Sequence, residues 1–195
     1  MIMKQKLAKY ISIIGHPFIT ISVFVIIVLF ATEKLNNALF VSFLIVGCII
    51  FPVTIRNYLK TKNGEYSNFD VSVRTQRYSM YLFMMLPMIA ITIVLFFTKQ
   101  PKGSCYGVLF GLVLLLISFI VNFFIKCSGH VSLTIYLSFL IIPLNAIAGI
   151  FILLLSGLIG WSRVELKRHT VKEVFAGASI GFTVGLFMLI AEGII

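Results

Sequence analysis

Apolar runs that approach or exceed the ~20 residues needed to cross a bilayer as a helix dominate this chain, at roughly 12–31, 37–58, 79–98, 104–125 and 174–194. Runs of that length match a spanning helix, which satisfies its own backbone hydrogen bonds, and are about twice what a barrel strand needs. With 60% apolar and 11% charged residues over 195 positions, little polar sequence remains for a water-soluble body. The expected fold is therefore all-α: a polytopic membrane bundle, 1–195, of about six to seven transmembrane helices in one membrane-embedded domain. The first run lacks a small-residue cleavage pattern, so it is expected to remain in the mature chain.

Residues 131–160 need separate treatment. As one helix they would rise ~45 Å, against a hydrocarbon core of ~30 Å. Pro143-Leu144-Asn145 stands near the middle and supplies both a break and a polar residue, so two short helices folded as a hairpin are expected. That choice fixes a parity. An even number of crossings then separates the basic loop 59–78, the cluster at His130 and the cluster at His169, and all three emerge on one side. The amino terminus falls on that side too, and only Lys34, Lys99 and Lys102 fall opposite. Segment 1–11, with Lys4, Lys6 and Lys9, is expected to rest on lipid headgroups.

The formal charge of +10 does not point to nucleic acid, because the basic residues are scattered among junctions between apolar runs instead of covering a polar domain. Membrane lipids and lipid phosphates are the expected partners. Cys48, Cys105 and Cys127 have neither metal-ligand nor CxxC spacing and are read as small buried hydrophobes. His16, directly before Pro17, has no charged neighbour in sequence and is read as structural. Gly177, Gly181 and Gly185 form a small-xxx-small pattern that lets helices approach closely.

Two polar clusters carry chemistry. One is Lys126-Cys127-Ser128-Gly129-His130; the other is Ser162-Arg163, then His169 and Glu173. If His169 and Glu173 share the first turn of the last helix, their i, i+4 spacing places them on one face. The carboxylate then holds the imidazole tautomer and leaves the other ring nitrogen free to attack phosphorus. Lys126, Arg163 and the basic loop with Arg74 and Arg77 would spread positive charge over the phosphoryl oxygens. Ser128 and the amides around Gly129 add neutral donors, and His130 is the candidate acid for the departing oxygen.

These residues resemble the type 2 phosphatidic acid phosphatases, membrane enzymes related in fold to vanadium haloperoxidases and bacterial acid phosphatases. That family's second motif is P-S-G-H, and here Cys127-Ser128-Gly129-His130 stand; its third is S-R-x5-H-x3-D, and here Ser162-Arg163, His169 and Glu173 stand. The first motif, K-x6-R-P, is replaced by Asp70, Arg74 and Arg77 without a following proline. The resemblance covers roughly residues 60–190. It implies His169 as nucleophile forming a phosphohistidine, Glu173 as its orienting carboxylate, His130 as general acid, and Ser128, Gly129 and Arg163 as phosphate ligands, with no metal and no cofactor. The substrate class is a lipid phosphate or an isoprenoid phosphate or pyrophosphate.

Two rival readings keep the same residues: a carrier or scaffold that binds anionic lipid without turnover, and a phosphotransferase that passes the phosphoryl group to an alcohol. Compactness without long polar loops is what a bacterial inner-membrane protein is expected to show. Charge bias would put the site in the cytoplasm, whereas the resemblance to lipid phosphatases, which usually work on the outer face, implies the opposite side.

Overall fold

The computed structural model describes residues 2–195 and is helical throughout, with no strand among them. Eight helices stand in order: α1 Ile2–Ile14, α2 Pro17–Thr32, α3 Leu35–Lys62, α4 Arg74–Phe97, α5 Lys102–Val121, α6 Gly129–Ile141, α7 Ala146–Glu165 and α8 Val171–Glu192. Five of them are long and apolar enough to cross a membrane, or six if the broken pair α1 and α2 counts as one span. Their outward faces carry large apolar side chains such as Leu86, Phe97, Ile147 and Leu154, which suits contact with lipid. The protein is a multi-pass helical membrane protein. The seventh expected span is α6, whose 13 residues rise only about 20 Å at 1.5 Å each.

The chain forms two compact units, one containing residues up to Thr20 together with Phe123–Ile195, the other Ile21–Asn122. In the first unit, α6 and α7 are the expected hairpin. The break falls where sequence placed it: α6 ends at Ile141, and Asn145 caps α7 by accepting a hydrogen bond from the Ala148 N–H at 3.0 Å. Close approaches of Gly149 to Ile142 and of Gly160 to Val131 show the pair running antiparallel. Replacing Asn145 by Ala should lower stability by about 1 kcal/mol, read as an earlier midpoint of unfolding in mixed micelles.

Helix α8 runs parallel to α6, and the glycines make this possible. A Cβ on Gly177 would lie 2.5 Å from the Ser128 carbonyl oxygen, one on Gly181 would collide with the Ser132 carbonyl oxygen, and one on Gly185 would lie 2.6 Å from the Phe139 ring. The pattern is thus a packing seam, with helix backbones in direct contact.

The amino-terminal segment has a buried face that its basic sequence did not announce. It is a helix whose Ala8 and Ser12 are buried, and Gly15 just beyond its end approaches the Ile159 side chain. Residues 8, 12 and 15 lie on one face, i, i+4, i+7, and that face packs on α7 in antiparallel sense. Lys4, Lys6 and Lys9 remain exposed on the rest of the surface. The helix breaks at Gly15-His16. His16 then starts α2: its carbonyl accepts from the Thr20 N–H and its Nδ1 from the Phe18 N–H at 3.2 Å, with Pro17 in the first helical position.

In the second unit, α3 contains a π-helical stretch, Phe43–Ile50, directly ahead of Pro52. The proline lacks an N–H and its ring crowds the carbonyl four residues back, so widening the preceding turns lets the helix continue. Helices α4 and α5 meet through Phe119, which packs edge-on against Tyr78 and Tyr81. The expected loop 59–78 is shorter than its sequence suggested, since α3 runs to Lys62 and α4 begins at Arg74. Its residues are tied down by Tyr66, whose hydroxyl meets Ser79 Oγ and Arg56 Nη1, each at 2.6 Å.

Candidate active site

Helix α7 ends in a turn that sets the position of His169. Lys167 adopts a left-handed conformation, φ 54°, and the Arg168 N–H reaches back to the Arg163 carbonyl at 3.0 Å, closing a Schellman-type cap. The same carbonyl accepts from the His169 N–H at 3.2 Å. The backbone of His169 is therefore fastened to that of Arg163, and the spacing S-R-x5-H is the length of this turn.

His169 does not stand on the last helix, as its spacing to Glu173 suggested. It precedes Thr170, the N-cap of α8, and the two side chains meet through the cap itself. Thr170 Oγ1 accepts from the Glu173 N–H while Glu173 Oε2 accepts from the Thr170 N–H at 3.1 Å, a capping box. The same Oε2 lies 3.0 Å from His169 Nδ1. An ionised carboxylate can only accept, so in this contact Nδ1 is the donor. Lys126 is held against this group, 3.4 Å from Glu173 Oε2 and donating to the Arg168 carbonyl at 2.8 Å. Its ammonium thus stands beside the carboxylate that orients the imidazole.

The second cluster meets the third through the backbone. The Ser128 N–H donates to the Glu173 carbonyl at 3.0 Å, a contact possible only because Gly177 has no side chain. Ser128 is the N-cap of α6, yet its hydroxyl makes no cap bond and, buried, has no hydrogen-bond partner among the described residues. The first amides of a helix have no intrahelical partner and lie at the positive end of its dipole. Gly129, the first residue of α6, faces open space where a Cβ would stand. His130 is buried one residue further on, its ring 5.1 Å from that of His16 in edge-to-face contact.

Arg163 is the largest fully buried side chain among the described residues, 1% exposed. Its Nη1 donates to Ser12 Oγ at 2.6 Å, across 151 positions of sequence. Thus Lys126, Ser128, Gly129, His130, Arg163, His169 and Glu173 gather at one end of the first unit. Ser12 and His16 join them without having been expected. The signal available for Ser12 was the Ala8, Ser12, Gly15 spacing, hidden among three lysines. Arg74 and Arg77 belong to the second unit. Arg74 is exposed at the start of α4, and buried Arg77 donates from Nε to the Val71 carbonyl at 2.9 Å, bracing a residue with φ 48°.

Cys48, Cys105 and Cys127 form no disulfide among the described residues, and the latter two are buried. Comparison with protein-family models, with curated proteins and with solved structures returns no match to this chain.

Proposed function

We propose that this protein is a membrane phosphatase of the type 2 phosphatidic acid phosphatase kind, removing phosphate from a lipid or isoprenoid phosphate or pyrophosphate. The observation that carries the reading is the seating of His169 against Glu173 beside an uncapped helix end with a buried, unpartnered serine hydroxyl. A neutral imidazole with its lone pair on Nε2 is a nucleophile; amides at a helix start, a hydroxyl and a guanidinium are what a phosphoryl group needs around it.

The chemistry runs in two balanced steps. Nε2 of His169 attacks phosphorus as the bond to the lipid oxygen breaks, and His130 gives that oxygen its proton. Water then attacks the phosphohistidine, its proton passing to His130, and the P–N bond breaks to release inorganic phosphate and restore His169. Glu173 stabilises the imidazolium character that develops on His169 in both steps. Lys126 acts through Glu173. Arg163, Ser128 and the Gly129 amide take the phosphoryl oxygens; Arg74 and Arg77, in the second unit, are given no role in these steps. Helices that meet the interface around the site allow a substrate to keep its tail in the bilayer, which favours a lipid over a soluble phosphate. A bacterial inner membrane is the setting we propose.

The test is phosphate release by the full chain in detergent from a panel of lipid phosphates and isoprenoid pyrophosphates, with EDTA present. Release that survives EDTA supports the metal-free histidine route. A folded protein that releases phosphate from no member of the panel overturns the phosphatase reading and leaves a carrier of anionic lipid. Transfer to added alcohol in place of water would redirect it to a phosphotransferase. Glu173→Gln gives a finer check, because Gln keeps the capping geometry but removes the charge behind His169. The expected loss in kcat/KM is on the order of 10^3-fold with little change in melting temperature.

A further inference from the structure

Ser12 lies outside both motif clusters, at the start of the apolar run 12–31 and one residue past the segment 1–11 expected on lipid headgroups. Its hydroxyl nevertheless accepts from Nη1 of Arg163 at 2.6 Å, and both residues are buried. We propose that Ser12 is a positioning residue of the phosphate site, fixing the guanidinium of Arg163 in the plane from which it takes phosphoryl oxygens. The inference rests on the proposed role of Arg163 and adds α1 to the site.

Three observations support it. A guanidinium is a rigid planar fork of donors, so fixing one terminal nitrogen fixes the direction of all the others. At its backbone end Arg163 is already held, since its carbonyl accepts from the N–H groups of both Arg168 and His169. With Ser12 at the far end, the side chain is anchored at both ends of its stem, and little rotamer freedom remains to be lost when an anion arrives. Finally, Ser12 is itself held. Buried Ala8 lies one turn before it on the same face, and Gly15 packs so closely that a Cβ there would sit 2.7 Å from Ile159. The packing of α1 on α7 therefore sets the height of the Ser12 hydroxyl, as a positioning role requires.

The experiment measures binding of inorganic phosphate to the full chain in detergent by calorimetry, alongside turnover and melting temperature. The variants are Ser12→Ala, Ser12→Thr, Arg163→Ala and the double Ser12→Ala/Arg163→Ala. A hydrogen bond to a charged group predicts about 10-fold weaker phosphate binding for Ser12→Ala. Recovery toward wild type is expected in Ser12→Thr, which restores the hydroxyl. On the Arg163→Ala background Ser12→Ala should add nothing, because the two act as one unit. Ser12→Cys, nearly isosteric and a poor acceptor, takes the place of Ser12→Ala if the latter melts early.

Unchanged phosphate binding in a folded Ser12→Ala variant, or additive losses in the double variant, overturns the inference even if the wild type is an active phosphatase. If the wild type hydrolyses no lipid phosphate yet the cycle is non-additive, the enzymatic reading fails and the positioning of an anion-binding arginine stands. A wild type that does not bind phosphate overturns both.

Discussion

Replacing His169 by Ala should abolish phosphate release, with a fall of at least about 10^4-fold in kcat and little loss of folded protein. The magnitude comes from the role: without Nε2 no covalent intermediate can form, and what remains is binding and charge stabilisation of a direct attack by water. The fold should survive because the cap of α8 does not depend on this side chain. Thr170 and Glu173 satisfy each other, and the His169 N–H still bonds to the Arg163 carbonyl. Rapid quenching of the wild type with a phosphorus-labelled lipid substrate should trap an acid-labile phosphoprotein that His169→Ala does not form. Trapping of label in His169→Ala, or retained turnover, would assign the nucleophile elsewhere.

The second large effect comes from a glycine that touches no substrate. Gly177→Ala would set a methyl group 2.5 Å from the Ser128 carbonyl oxygen and 3.0 Å from its nitrogen, backbone atoms that cannot swing aside as a side-chain tip can. Helices α6 and α8 must then part by about an ångström to restore contact distances near 3.5 Å. The Ser128 N–H to Glu173 carbonyl bond is lost with that movement, and the two motif clusters separate. Overpacking of this kind costs about 1–3 kcal/mol, and a displacement of about 1 Å around reacting groups costs about 10^2-fold in rate. Gly157→Ala on α7 is the matched control. A Cβ there meets nothing within 4 Å, so it should raise stability by up to about 1 kcal/mol and leave turnover intact. Equal behaviour of the two variants in melting and turnover would contradict the role given to the seam.

Much of this arrangement was legible in the residues, and the reasons differ from place to place. Hydrophobic runs announced helices because their length is that of a spanning helix. Pro143 and Asn145 announced the hairpin because one cannot continue a helix and the other starts one well. The glycine spacing announced a close helix contact, though not that α6 would be the partner of α8. What stayed hidden depended on groups far apart in sequence. Nothing near Lys126 indicates that its ammonium would sit beside Glu173 at 3.4 Å, and its charge invited a direct phosphate role. The helix α1 reads as basic and interfacial because three lysines outweigh three small residues, although the small residues determine where it packs. The placement of His169 ahead of α8 escapes the spacing for a local reason: i, i+4 suggests a shared helical face, while a capping box brings the same two side chains together from outside the helix.

The first unit is assembled from the two ends of the described chain, with Ile21–Asn122 folding as a separate unit in between. During synthesis this imposes an order in time. Ser12 leaves the ribosome early and waits for Arg163 until 151 further residues have been added, so α1 reaches its place on α7 only after most of the hydrophobic sequence has entered the membrane. A chain arrested after Asn122 but before the end of α7 has made all of the second unit, while the residues of the two polar clusters are still unassembled. Under the proposed function, competence for phosphate release is thus among the last properties a newly made molecule acquires, and products of premature termination should release no phosphate from lipid phosphates.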